Sequence, residues 1–248
     1  MSYCNFAEYY DLLTEDIDYN NQAKYLTDIF RENGVSGGIL LDLACGTASL
    51  SIPLAKSGFD VIAVDESEEM LSVAKSKLDE SDNLNVMLLC QSMQDLDLYG
   101  TIDAAVCMLD SLNHLDSFED IKLAVSKVSL FMNVGGIFIF DMNTPYKHKE
   151  ILGDNTFVIE EDNVFCVWQN EYEEFENTVY MTLDFFEKKD ENYSRTTQYI
   201  TEKAYDIDKT AKMLIATGFE VITIYDDMSK NPLNEESERA VFVTRKVK

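Results

Sequence analysis

The run Leu41-Asp42-Leu43-Ala44-Cys45-Gly46-Thr47-Ala48 carries the clearest chemistry in the chain. An acid lies near the end of an apolar stretch, and a turn of small residues follows. Small side chains let a ligand approach the backbone closely. A helix opening after such a turn points free N–H groups at the ligand and favours a carboxylate or phosphate. A second acid, Asp65, ends the stretch Val61-Ile62-Ala63-Val64-Asp65, 23 residues after Asp42. An acid in that place can accept both hydroxyls of a ribose. Two acids at adjacent strand ends, beside a small-residue turn, point to a nucleoside ligand; the alternative is that both only cap their strands. A dinucleotide site would show G-x-G-x-x-G. Here Ala44, Gly46 and Ser49 stand at those spacings, which leaves less room for a pyrophosphate and suits one nucleoside with a small charged tail.

The elements that must position these residues follow from periodicity. Ile39–Leu43 and Val61–Asp65 read as strands buried on both faces. Between them Ala48–Ser57 reads as a helix ended by Gly58, and Pro53 fits only if it lies in the first turn or makes a kink. Ser67 caps a helix to about Leu78. Leu84–Leu89 and Ile102–Leu109 are further strands. Ser117–Met132 is a helix with Phe118, Ile121, Val125, Val128 and Phe131 on one face. Gly135-Gly136 turns into a fifth strand, Ile137–Asp141. Ahead of all these, an amphipathic segment holds Tyr9, Tyr10, Leu12 and Leu13. A helical pattern with Tyr25, Leu26, Ile29 and Phe30 follows it and stops at Gly34. The alternation predicts a parallel sheet with right-handed crossovers.

That rhythm breaks between Thr156 and Ala204. Four segments rich in aromatic and β-branched residues (Thr156–Glu161, Val164–Glu171, Thr178–Glu187 and Tyr193–Lys203) are joined by polar links such as Glu161-Asp162-Asn163, an antiparallel meander. Asp206 then caps a helix to about Thr217. Phe219–Tyr225 and Ala240–Arg245 are the last strands, joined by a polar loop containing Pro232. The expected fold is α/β, a doubly wound seven-stranded, mostly parallel sheet with a small antiparallel β insertion. Residues 1–150 plus 205–248 form the main unit, and 151–204 the antiparallel β insertion.

Charge narrows the ligands further. The 248 residues hold 46 Asp+Glu against 20 Lys+Arg, a formal charge of −26. Such a surface repels phosphate backbones, so a nucleic-acid substrate is not expected. Five cysteines (Cys4, Cys45, Cys90, Cys107, Cys166) are odd in number, spread out and without a CxxC pair, which disfavours a disulfide framework and a zinc site. The start Met1-Ser2-Tyr3-Cys4-Asn5 lacks a basic region before an apolar stretch, and no apolar run approaches a membrane span. A cytoplasmic protein, monomer or homodimer, is expected.

Asp42-Leu43-Ala44-Cys45-Gly46-Thr47 closely resembles the nucleotide-loop motif of class I S-adenosylmethionine-dependent methyltransferases. Asp65 matches the acid of their second strand, and Asp65-Glu66-Ser67-Glu68-Glu69-Met70-Leu71 resembles their D-x-S-x-x-M-L continuation. The resemblance runs over roughly residues 35–145 and 205–246. The β-rich insertion resembles that of small-molecule enzymes such as the sugar N,N-dimethyltransferases. It implies a Rossmann-like methyltransferase fold, S-adenosylmethionine as cofactor, and methyl transfer to a small acceptor. By the same resemblance, Asp42 belongs to the cofactor site, the Ala44–Gly46 loop contacts the methionine part, Asp65 binds the ribose, and Glu66 and Met70 flank the adenine. Gln91, Ser92 and Met93 edge the ring, Ser92 standing where the family often has an acid. Leu109, Asp110 and Ser111 lie beside the sulfonium and the substrate. Tyr10 either covers the cofactor or is a core aromatic.

The transfer needs an in-line nucleophile and exclusion of water, and a base only for a protonated nucleophile. His114 is the candidate base, or else a polar loop residue. His148 is expected to be exposed in the link to the insertion. Asp141 either orients substrate or caps its strand, and Tyr146 is placed to line the acceptor pocket. Residues 150–205 hold 14 acidic and 4 basic side chains. They either attract a cationic amine or form a solvated face that blocks edge pairing. Phe165, Trp168, Tyr172, Tyr180 and Phe185 are pocket wall or core. Two other classes share part of the pattern: a non-catalytic S-adenosylmethionine-binding regulator, and a nicotinamide-dependent oxidoreductase lacking its glycine fingerprint.

Overall fold

A computed structural model describes residues 6–81, 83–161 and 163–248. Cys4, the first five residues and Asp162 lie outside the described residues. In chain order the first elements are α1 (Phe6–Leu13), α2 (Tyr19–Glu32), β1 (Gly38–Leu43), α3 (Ser51–Lys56), β2 (Phe59–Asp65), α4 (Glu68–Asp79), β3 (Val86–Cys90) and β4 (Ile102–Cys107). A 3₁₀ turn (Ser111–His114) leads to α5 (Phe118–Phe131) and β5 (Met132–Asn143), and a π turn (Lys147–Leu152) leads to β6 (Thr156–Glu161), β7 (Val164–Glu173), β8 (Thr178–Lys189) and β9 (Asn192–Lys203). The chain closes with α6 (Ile207–Ala216), β10 (Phe219–Asp226) and β11 (Arg239–Lys246).

Seven strands form one sheet in the order β3-β2-β1-β4-β5-β11-β10. The first five strands run parallel, and β11 is antiparallel to both of its neighbours. The apolar runs read from sequence are the central strands: Leu40, Leu41, Ala104, Ala105, Phe138 and Ile139 are fully buried. Strand order reverses between β1 and β4, so the crevice at their carboxyl ends is where a ligand belongs in an open α/β sheet. Asp42, Asp65 and the loop after β4 all open on that edge.

Helix starts follow the capping chemistry. Ser67 accepts from the Met70 N–H, and Asp206 from the Lys209 N–H. The helix expected from Ala48 begins only at Ser51, with Pro53 still in its first turn. Ala48 holds φ +61°, a left-handed conformation that no helix residue can keep, so the turn is longer than the sequence pattern suggested.

The strands β6–β9 form a separate antiparallel sheet in meander order. One face packs on α1. The ring of Tyr9 stacks on Phe185, with centroids 4.5 Å apart and planes at 7°, within a cluster that includes Leu152, Cys166, Val179 and Leu183. Phe185 is core; Trp168 and Tyr172 border the same cluster, while Tyr180 is exposed. Among the described residues Cys45, Cys90, Cys107 and Cys166 are free thiols. No described helix is long and apolar enough to cross a membrane.

Candidate active site

The loop after β1 carries three left-handed residues, Ala44 (φ +58°), Gly46 (φ +53°) and Ala48. This winding turns its backbone toward the crevice. Asp65 fixes it: one carboxylate oxygen accepts the Gly46 N–H at 2.8 Å, the other the Ser67 N–H at 2.9 Å. A carboxylate has about four acceptor positions, so two stay free for hydroxyls. Asp65 therefore caps its strand end and still has acceptor positions to spare.

A cavity of about 330 Å³ opens over this loop, within the size range of small-molecule sites. Of the residues read from sequence, Tyr10, Ala44, Gly46, Asp65, Glu66, Met70, Gln91, Met93, Leu109 and Ser111 line it, and so does His114; Asp110 is not among the lining residues. Phe6, Ser67, Gln94, Leu115 and Ile200 complete it. Asp42 opens instead on a smaller recess shared with Tyr10, Tyr19, Thr47 and Ser49. It is almost wholly buried and accepts from Ser51 Oγ at 2.5 Å. Burial pushes its carboxyl up to about 7, against the Ser51 hydrogen bond.

Ser92 does not reach the cavity. Its hydroxyl donates to Asp95 at 2.9 Å and accepts the Asp95 N–H, closing a local turn. Gln91 is likewise occupied at both ends of its amide by the Asp97 backbone. Gln94, half-buried and facing the cavity, is the amide that sequence reasoning missed. Only the pitch of the loop selects it, and no motif marks that.

α1 roofs the cavity. The ring of Tyr10 lies over Gly46, where an added Cβ would stand 3.5 Å from it. Burial raises the Tyr10 hydroxyl well above its ordinary value. A polar clasp holds the helix down. Asp11 accepts from Thr47 Oγ1 at 2.6 Å, and Lys77 of α4 pairs with Asp11 at 2.6 Å while donating to Thr47 and Ser49. Neither Asp11 nor Lys77 belongs to a recognisable motif.

The far end is built from distant segments. Leu109 and Asp110 are both left-handed, at φ +59° and +50°. A bulky residue in that region is a strained one, of the kind that concentrates at functional sites. Arg239 forks two carboxylates, donating to Asp110 at 2.6 Å and to Asp141 at 2.7 Å. Asp141 also accepts the Asp110 N–H at 2.7 Å. Burial alone would raise the Asp110 carboxyl; Arg239 more than offsets this, with help from His114 and Lys147, and holds it down at about 2. Asp141, which shares the guanidinium, is raised by its burial. It lies within β5 and, through the Asp110 N–H and Arg239, positions Asp110.

His114 turns its Nδ1 to the Thr201 carbonyl at 3.1 Å, leaving Nε2 3.9 Å from Asp110. Asn113, fully buried, donates to the Lys203 carbonyl and accepts the Asn143 N–H, joining the loop after β4 to β5 and β9. Tyr146 is half-buried at the start of the π turn and is not among the residues lining the cavity. His148, expected to be exposed, is fully buried: the π turn rotates it inward, and its Nδ1 meets the Thr144 carbonyl at 3.0 Å.

A methyltransferase-domain family model matches residues 40–136. The putative methyltransferase YqeM of Bacillus subtilis is 31% identical over 249 residues, 100% of this chain and 98% of that protein. The crystal structure of an S-adenosylmethionine-dependent methyltransferase from Clostridium acetobutylicum superposes with a TM-score of 0.90 at 32% identity, covering all of both chains. A dTDP-3-amino-3,4,6-trideoxy-α-D-glucopyranose N,N-dimethyltransferase of Streptomyces venezuelae is 28% identical over 150 residues, 60% of each chain.

Proposed function

The chain belongs to the S-adenosylmethionine-dependent methyltransferases, and we propose that it methylates a small-molecule amine, with residues 151–204 covering the acceptor. The observation that carries the cofactor half is the Asp65 carboxylate, fixed by two backbone N–H groups on the wall of a nucleoside-sized cavity. When bound, the cofactor supplies an electrophilic methyl group on a sulfonium.

The residues present fit that group. Asp65 accepts the ribose hydroxyls with its remaining acceptor positions. Met70 and Met93 offer soft, adaptable faces to the adenine, Glu66 flanks it, and Gln94 takes over the edge contact that Ser92 does not make. The Ala44–Gly46 loop and Asp42 receive the methionine tail, whose ammonium draws the Asp42 carboxylate into its charged form. Leu109 and Tyr10 close on the reacting end and exclude water.

The acceptor half rests on His114 and Asp110. His114 Nε2, with Nδ1 turned to a carbonyl, takes a proton from an incoming ammonium so that the nitrogen lone pair is free to attack. The Asp110 charge favours both the ammonium and the imidazolium that follows. An amine acceptor matches the amino-sugar enzyme among the relatives and the acidic character of residues 150–205. Low basic charge argues against a nucleic-acid acceptor.

Calorimetric titration with S-adenosylhomocysteine tests the core of this reading. Asp65→Ala is expected to weaken binding by about two orders of magnitude, because a charged acceptor of two hydroxyls and the anchor of the loop are lost together. Unchanged affinity in that variant would remove Asp65 from the site.

A further inference from the structure

Asp110, His114 and Glu202 bring one oxygen or ring nitrogen each to within 4.8 Å of one another. Glu202 comes from β9, 92 residues beyond Asp110 in sequence, and is almost fully buried. Asn143 donates to it at 2.8 Å. His148 stands at the same oxygen, Oε2. The Nδ1–H of His148 is committed to the Thr144 carbonyl, so in the neutral ring Nε2 carries a lone pair. That nitrogen is completely buried, has no hydrogen-bond partner among the described residues, and lies 3.2 Å from a Glu202 oxygen. A lone pair against a carboxylate is repulsive unless a positive charge joins them.

Charge accounting points the same way. Three enclosed carboxylates, Asp110, Asp141 and Glu202, gather around two cations, Arg239 and Lys147, and the exposed Asp227 also stands 3.9 Å from Arg239. With both imidazoles neutral the cluster is one positive charge short. Buried charge of this kind is costly unless matched. Arg239 already grips Asp110 at 2.6 Å, so a compact divalent ion would compete with a guanidinium for the same carboxylate. A monovalent cation that donates hydrogen bonds fits among Asp110, Glu202 and His114, whose atoms lie within 4.8 Å of one another; His148 Nε2, enclosed 3.2 Å from Glu202, is too close for anything but a proton and senses the cation through Glu202.

We infer that Asp110, His114 and Glu202 form a binding site for a protonated amine, in which Glu202 is the specificity-determining residue carried by the inserted sheet and His148 positions it. Its place in catalysis rests on the methyl-transfer reading above; the cation site itself does not. The acceptor's ammonium is held between one carboxylate of the main sheet and one of the insertion, next to His114 Nε2. An acceptor lacking the cation leaves Glu202 and His148 opposed. Recognition of the amine therefore requires β9 to be docked against the turn at Ser111–His114.

The chain has two histidines, so the imidazole Cε1–H signals in a proton NMR spectrum report on this cluster directly. Ethylammonium chloride is the probe and ethanol its uncharged counterpart, each titrated with and without S-adenosylhomocysteine. Ethylammonium is expected to shift both signals saturably and ethanol neither. Glu202→Gln, nearly isosteric and still able to accept from Asn143, is expected to weaken the ammonium response about tenfold or more while leaving S-adenosylhomocysteine affinity within about twofold. Glu202→Asp is expected to fall between the two. Equal responses to ethanol, an undiminished ammonium response in Glu202→Gln, or one equivalent of Zn²⁺ bound through Glu202 with no ammonium response would each overturn the inference. Loss of S-adenosylhomocysteine binding with the ammonium response intact would instead count against the cofactor reading.

Discussion

At the ends of β1 and β2 one carboxylate, Asp65, is held by two backbone N–H groups of neighbouring segments. At the ends of β4 and β5, two carboxylates share the guanidinium of Arg239, and a third, Glu202, meets two histidines. The first arrangement uses backbone donors and a short local loop. The second uses side chains from β5, β9, β11 and the turn after β4. Backbone donors are fixed by the fold itself, so the end we assign to the cofactor can bind one unchanging ligand with few special residues. Side-chain charges can be exchanged one at a time, so the end we assign to the acceptor can be retuned without disturbing the sheet. The cost is that its charges must balance one another in a dry place.

The largest expected effect therefore falls on the acceptor end. Arg239→Met removes the cation between Asp110 and Asp141, which are buried at 16% and 1% side-chain exposure. Breaking a buried pair from one side leaves unpaired charge, so a loss of about 3–5 kcal/mol is expected. Urea unfolding at neutral pH measures it. Asp110→Asn added to Arg239→Met is expected to recover part of the loss, because the charge left unpaired becomes smaller. A stability loss confined to a few tenths of a kcal/mol would mean that the triad is not a buried network, and the contrast between the two ends would collapse.

The next effect sharpens the contrast from the cofactor side. Burial raises the Asp42 carboxyl to about 7, so the folded protein retains a proton that the unfolded chain releases at ordinary carboxylate pH. Stability from this group is lost as pH climbs from near 4 toward 7 and is level above that. Asp42→Asn, which can still accept from Ser51, is expected to be the more stable form. Its advantage should grow to a few kcal/mol across that window and then stay constant. Cofactor binding should show the opposite preference: S-adenosylhomocysteine affinity rises through pH 7 in the native protein, as the carboxylate ionises to meet an ammonium, and loses that rise in Asp42→Asn. A stability gap that does not vary with pH would show that Asp42 is not a displaced titrating group.

How much of each end was legible in the sequence follows from the same difference. The seven-stranded sheet, the four-stranded insertion and both helix caps at Ser67 and Asp206 were readable, because apolar runs and capping residues act over a few positions. So was much of the cavity wall, carried by Ala44, Gly46, Asp65, Glu66 and Met70. Gln94 in place of Ser92 was not, since a single local turn decides which side chain faces inward. The acceptor end was legible only in part. His114 and Asp110 could be picked by their position after β4. Arg239, Glu202 and Asn113 could not, because nothing near them in the chain marks them. Their partners lie far away in sequence: 129 positions separate Arg239 from Asp110 and 90 separate Asn113 from Lys203. His148 was placed at the surface because the link to the insertion reads as polar, and the π turn that buries it leaves no periodic signature.

The smallest effect probes whether the cofactor loop stores strain. Ala44 and Ala48 hold φ +58° and +61°, a region that costs an L-residue about 1–2 kcal/mol. Glycine removes that cost but adds about 0.5–1 kcal/mol of backbone entropy to the unfolded chain. At Ala44, half-buried on the cavity wall, the balance is expected to favour Ala44→Gly by about 0.5 kcal/mol. At Ala48, fully buried, the lost methyl contacts cancel the gain, so Ala48→Gly is expected to be neutral or slightly destabilising. Thermal unfolding of the two variants side by side gives the sign of each. If both stabilise equally, backbone relief alone governs the loop and packing at Ala48 contributes nothing. If neither does, the left-handed winding is already paid for by the Gly46–Asp65 and Asp11–Thr47 hydrogen bonds. The loop would then resemble the acceptor end, held by its contacts rather than by the residues' own preferences.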